Sequence, residues 1–287
     1  MSQHLVLPFQ RHLQALGKRP GTQETYLGIF RRFLPWSAAQ GWHEPDAASV
    51  YDYLIMLGNR DRVSPQWYNV NFHALRTWMV MRGLDTSLRG LLPKRVPDQP
   101  PRWLDPEQTR RLVEAADQRH FRTVFLTMLA TGLRISEVLA LRVTDIERHQ
   151  PVIHVRCGKG GHGRLVRCEP SLRQHLVAYW KVYRPMGFLF QRRPGGADLP
   201  MQKATVNAAL RRAAALAGIT DRVSSHRLRH TFAINSLRGG MDLVTLSKLM
   251  GHRSLSSTTR YVTPDLIKPG VMVDVLTRLG LQQEDQP

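Results

Sequence analysis

Between Pro93 and Arg102 the chain sets four prolines in ten residues: Pro93, Pro97, Pro100 and Pro101. Each proline fixes its own φ and removes a backbone donor, so neither a helix nor a paired strand continues through the segment. The stretch 93–102 therefore reads as an extended linker. It divides the 287 residues into an N-terminal domain, 1–92, and a larger C-terminal domain, 103–287, both within the ordinary size range.

Residues 5 to 92 read as helices around 5–16, 22–40, 46–58 and 64–82. Leu27, Phe30, Phe33 and Leu34 recur at helical spacing, as do Val50, Tyr53, Leu54 and Leu57, so each helix shows one apolar stripe to a shared core. Thr22 and Ser64 stand where N-caps belong. The aromatic residues Trp67, Tyr68, Phe72 and Trp78 are most simply core. From 103 onward the pattern is again mostly helical: Asp105 and Glu107 open one helix, 121–130 forms an apolar one, Gly132 breaks it and Arg134 starts the next. A loop near Arg192 precedes a helix from about Lys203 to Ala217. The one clear β element is a hairpin over 152–168. If its turn centres on His162 and Gly163, Cys157 and Cys168, the only cysteines, face each other; free thiols are the default reading. The expected fold is mainly α, a helical domain followed by a mixed, mostly helical one with a small β-hairpin.

Lys and Arg number 41 against 22 acidic residues, a formal net charge of +19. Both parts share the excess: residues 1–100 hold 12 basic and 7 acidic residues, the remainder 29 and 15. Of the basic residues 34 are Arg, whose planar fork matches a phosphate, which favours nucleic acid as partner. A genome rich in GC also enriches Arg, but it accounts less well for the net charge. No run of 18 apolar residues and no signal peptide is present, so a cytoplasmic, nucleoid-associated protein without membrane contact is expected.

The chemistry-bearing residues are Arg134 in Thr131-Gly132-Leu133-Arg134, then His226-Arg227-Leu228-Arg229-His230, Gly251-His252 and Thr259-Arg260-Tyr261. Two arginines can hold two non-bridging phosphate oxygens, histidines can move protons, and a tyrosine can attack phosphorus. A free phenol has a pKa of about 10, so such a tyrosine needs cations or a base beside it. On a helix His226, Arg229 and His230 lie within about 100° of one another. Glu137, one turn after Arg134, is placed to orient it or a neighbour. Arg227, Arg238 and Arg260 read as surface or phosphate-binding residues. The His-x-x-x-His spacing lacks the Glu or Cys pair of a zinc site, and Gly158-Lys159-Gly160 lacks the spacing of a nucleotide loop, so neither metal nor nucleotide is expected.

This set, in this order, resembles the tyrosine recombinase (phage integrase) family from about residue 5 to about residue 280. The resemblance implies site-specific cleavage and rejoining of DNA through a 3′-phosphotyrosine, without cofactor. It makes Tyr261 the nucleophile, Arg134 and Arg229 the phosphate clamp, His226 an assistant in proton transfer from Tyr261, and His252 a hydrogen-bond donor to the phosphate. His230 is either part of the site or a buried residue bonding a backbone carbonyl. In the family a lysine in the hairpin turn protonates the leaving 5′-oxygen, which points to Lys159; the departures are His162, where a second basic residue is common, and four glycines in the turn. If Lys159 does something else, His162 or Arg164 is next in line.

By the same resemblance the first domain binds the DNA core site, and a homotetramer works on two inverted-repeat sites in duplex DNA. Lys203, Thr205, Asn207, Arg211 and Arg212 on one helix are either DNA contacts or a solvated charged face, and Arg95 in the linker is a further candidate DNA contact. The apolar face of 271–281 is either a helix exchanged between subunits or one docked within its own. Few residues precede the first helix, which argues against an arm-type DNA-binding domain. Two rival readings are a type IB topoisomerase-like relaxase and a DNA-binding accessory protein without catalysis.

Overall fold

The computed structural model describes residues 3–61, 63–95, 102–156, 163–193, 195–252, 254–259 and 261–262. The chain forms two compact units, Met1–Asp98 and Gln99–Pro287. Among the described residues the fold is mainly α with one two-stranded antiparallel hairpin, and no helix is long and apolar enough to cross a membrane.

The first unit consists of α1 (Gln3–Ala15), α2 (Pro20–Ala39), α3 (Ala47–Gly58) and α4 (Pro65–Met81). The apolar stripes meet as the spacing predicts: Phe9, Phe30, Phe33, Leu54 and Trp78 are fully buried. Their rings pack edge to face or tilted, Phe9 on Phe30 at 5.1 Å and Phe30 on Trp78 at 5.2 Å. Two expectations need correction. Ser64 does cap α4, accepting from the N–H of Trp67, but Thr22 does not cap α2, because Pro20 takes the first helical position that its fixed φ suits. Trp67 is not core either: it is 38% exposed, with the Arg32 guanidinium 5.1 Å above its ring. A helix bearing aromatic residues on adjacent positions cannot bury all of them on one stripe.

The second unit runs through α5 (Pro106–Glu114), α6 (Arg119–Thr131), α7 (Ile135–Ala140), β1 (Val152–Val155), β2 (Arg164–Arg167), α8 (Pro170–Tyr183), α9 (Lys203–Leu216), α10 (Ser225–Arg238), α11 (Leu243–Met250) and α12 (Ser256–Thr259). Asp105 caps α5 in a reciprocal pair with Gln108. The apolar α6 lies at the centre and packs on α8 and α10. At its end Gly132 takes φ +63°, and a Cβ there would lie 2.2 Å from Phe232 Cδ1, so only glycine serves as this stop. Two residues on, Arg134 caps α7, its N–H donating to Glu137 Oε2 at 2.8 Å.

In the hairpin Val152 pairs with Arg167 and Val155 with Arg164. This register centres the hairpin nearer the start of the chain than a turn at His162–Gly163 requires. Cys168 consequently stands beside Pro151, donating its N–H to that carbonyl at 2.7 Å. Cys157 itself lies outside the described residues. The Cys168 thiol is free and fully buried, and burial pushes its pKa up.

Candidate active site

The site grows from the C-terminal end of α11. There Gly251 adopts φ +63° and the chain closes a Schellman turn: His252 N–H donates to Ser247 O and Gly251 N–H to Lys248 O, both at 3.0 Å. Such a turn leaves the last carbonyls of the helix unpaired at its negative end. Three arginines from three other elements take them in sequence order. Arg164 Nε donates to Leu249 O at 2.7 Å, Arg229 Nη2 to Met250 O at 2.6 Å, and Arg134 Nη2 to Gly251 O at 3.1 Å. Arg229 also donates through Nη1 to Gly132 O at 2.7 Å, so it bridges the ends of α6 and α11.

Glu137 is the counter-charge. Its Oε1 accepts from Arg134 Nη1 at 3.1 Å and Arg164 Nη1 at 3.0 Å, its Oε2 accepts from Arg164 Nη2 at 2.9 Å, and Arg229 Nη1 lies 4.0 Å from Oε2. Burial raises its pKa, but the Arg164 hydrogen bonds, the Arg134 N–H and the two guanidinium charges together outweigh burial and hold it below the usual carboxylate range. The Arg229 side chain is 5% exposed. Burial and then the neighbouring Arg134 charge bring its pKa down to about 10, which still leaves it protonated at neutral pH. Arg134, by contrast, has a side chain 40% exposed and open to a ligand.

Tyr261 follows the short α12 and is 2% exposed, packed with Ala233, Ile234, Leu246 and Met250. Its hydroxyl lies 2.8 Å from His230 Nδ1. The alternative of His230 bonding a backbone carbonyl through this nitrogen is thus not what the fold adopts. His226, one turn earlier, is exposed and its ring lies 6.5 Å from that of His230. Partial desolvation, then the charges of Arg229 and Arg134, lower the pKa of His226, which favours its neutral, proton-accepting form. His252 Nδ1 bonds Thr258 Oγ1 at 2.7 Å, and its ring runs nearly parallel to that of Tyr261 at 6.5 Å. Three guanidiniums, three imidazoles and a phenol therefore share one site.

Lys159 and His162 lie outside the described residues, as do Arg260 and 271–281. Lys203, Thr205, Arg211 and Arg212 stand exposed on α9. Asn207 is half-buried, its Oδ1 enclosed without a hydrogen-bond partner. Arg95 is exposed in the first unit. Arg227 is not the surface residue that its position suggested: it is 6% exposed and donates to Trp103 O and to Asp221 Oδ2, because its side of α10 faces the segment entering the unit. Arg164 was expected only as a reserve acid. Its place two residues before Val166 within β2 gave a cue that it shares the inward face of that core valine, but nothing local announced Glu137 as its partner.

The model of the phage integrase family matches residues 102–266. The chain is 30% identical over 261 residues to tyrosine recombinase XerA of Thermococcus onnurineus (strain NA1), covering 90% of this chain and 89% of that protein. The figures for tyrosine recombinase XerA of Thermococcus kodakarensis are the same, 30% over 261 residues with 90% and 89% covered. In fold it resembles a lambda integrase tetramer bound to a Holliday junction, with a TM-score of 0.72 at 12% identity, over 95% of this chain and 80% of that one.

Proposed function

Because the chain belongs to the phage integrase family, and as a tyrosine recombinase cleaves and rejoins DNA in site-specific recombination, we propose that Tyr261 is its nucleophile and that Arg134 and Arg229 hold the scissile phosphate. The observation that carries this reading is the hydrogen bond between Tyr261 and His230, made on the helix that also carries Arg229. As the Tyr261 oxygen bonds to phosphorus, the P–O5′ bond breaks and the phenolic proton passes to the histidines. His230 is nearest, and His226 is kept neutral beyond it. Charge building on the non-bridging oxygens meets two fixed guanidiniums, which stabilise the five-coordinate state more than the ground state. His252 donates to the phosphate, and Glu137 orients the arginines. Lys159 protonates the departing 5′-oxygen, an assignment that rests on family resemblance. Rejoining reverses these steps with the 5′-hydroxyl of another strand.

DNA is the partner. We assign residues 1–92 to the core site, 93–102 to a linker and 103–287 to catalysis, with Arg95, Lys203, Thr205, Asn207, Arg211 and Arg212 as DNA contacts. We further propose a homotetramer on two inverted-repeat core sites; the fold shared with the lambda integrase tetramer on a Holliday junction supports it. Family membership disfavours the relaxase and the non-catalytic accessory protein. The test uses plasmids carrying one or two copies of a candidate inverted-repeat site drawn from the DNA around the gene. Deletion or inversion between two copies, with none from one, is the expected outcome. Site-independent relaxation of supercoils with no exchange would favour the relaxase.

A further inference from the structure

Strand β2 opens with an arginine that the assignments above leave unused. Arg164 has a side chain 15% exposed, and its Nη1 and Nη2 meet the two oxygens of Glu137 at 3.0 and 2.9 Å. Its Nε is committed to Leu249 O. A bidentate fork on a carboxylate that is itself 17% exposed is a strong, charge-assisted contact, and little of Arg164 remains to reach a substrate. Were it absent, the buried carboxylate would draw on its two other guanidinium neighbours, Arg134 and Arg229, whose donors the phosphate needs. Arg164 also stands at the foot of the hairpin and fastens it to the turn that leads into His252. At that turn a Cβ on Gly251 would come 2.9 Å from Arg164 Nη1, so the approach depends on glycine.

We propose that Arg164 is a positioning residue for strand cleavage: by forking both oxygens of Glu137 and holding the carbonyl of Leu249, it limits the hold of Glu137 on Arg134 to the Nη1 contact, leaves the remaining guanidinium donors of Arg134 and Arg229 to the phosphate, and fixes the hairpin against the α11 turn. The proposal rests on the reading of Arg134 and Arg229 as the phosphate clamp.

The test is single-turnover covalent capture on a nicked duplex, with DNA affinity and thermal unfolding measured alongside, for the full chain and its R164Q, R164K, E137Q, R164Q/E137Q and R229A variants. R164Q should cleave about 10²-fold more slowly, the scale of a small misplacement, with affinity unchanged. The double variant should be no slower than the slower single one, since the two residues act as a unit. R164K keeps the charge but cannot bridge both oxygens, so it should recover only part of the rate, and it serves if R164Q fails to fold. In both Arg164 variants the acid limb of the pH–rate profile should move to higher pH as Glu137 loses its main partner while buried. Additive losses in the double variant, wild-type cleavage by R164K, or an affinity loss as large as the rate loss would each overturn the proposal. R229A isolates the premise: wild-type cleavage there removes the clamp, whereas coupling between residues 164 and 137 bears on positioning alone.

Discussion

Tyr261 and His230 are joined by a hydrogen bond of 2.8 Å between the phenolic oxygen and Nδ1, with the tyrosine ring enclosed in the same chain's apolar cluster. The proposed nucleophile thus packs against residues of its own chain. Tyr261→Phe removes only the hydroxyl and keeps the ring contacts. It should bind its site with unchanged affinity and leave no covalent protein on a nicked suicide substrate in a denaturing gel. A covalent shift from the Phe variant would move the nucleophile elsewhere.

Arg134 and Arg229, the proposed phosphate clamp, stand in unlike surroundings, with side chains 40% and 5% exposed. Alanine at either should slow cleavage by on the order of 10² or more, the scale for losing one oxyanion donor, with a much smaller loss of binding. Stability should separate them. Arg229→Ala leaves Gly132 O and Met250 O buried without their donor and should lower Tm by several degrees. Arg134→Ala, at a half-exposed cap, should lower it less. Equal losses of binding and cleavage in both variants would make these residues DNA-positioning groups instead.

Lys159→Ala should regain cleavage on DNA whose scissile 5′-bridging oxygen is replaced by sulfur, since a thiolate departs without a general acid. Persistent inactivity on that substrate would take the proton transfer away from Lys159. Of the two reserves, Arg164 is the weaker, with its Nε and both Nη groups already engaged.

Much of this was legible along the chain because it depends on local spacing. Helical stripes, the Gly132 stop and the placement of His226, Arg229 and His230 on one helix follow from period and backbone chemistry. What was not legible depends on contacts far apart in sequence. Arg164 and Glu137 are 27 residues apart, and the Arg229 bond to Gly132 spans 97. Arg227 looked like one more arginine in a basic chain, since no local pattern distinguishes a buried guanidinium from a solvated one. The hairpin register likewise escaped, because its glycine-rich turn offers several places to centre a reversal, and cross-strand pairing chose among them.

We expect His120 to give the second unit a pH-dependent stability that is separate from catalysis. It is 6% exposed; Nε2 donates to Gln191 O at 2.9 Å, and the Tyr179 hydroxyl, which burial keeps protonated, donates to Nδ1 at 2.7 Å. Both ring nitrogens are thereby committed to the neutral form. Burial lowers the pKa of His120 and outweighs the opposing effect of the Gln191 bond. The unfolded chain, with an imidazole near pKa 6.5, then binds more protons than the folded one on the acid side. Stability is full above about pH 6.5 and falls as pH drops through the lower folded value. Tm measured from pH 7.5 to 5 should therefore decline, and His120→Gln, which keeps a donor and an acceptor but cannot titrate, should decline less steeply from a lower starting point. An unchanged slope in the variant would mean that other groups govern the acid sensitivity.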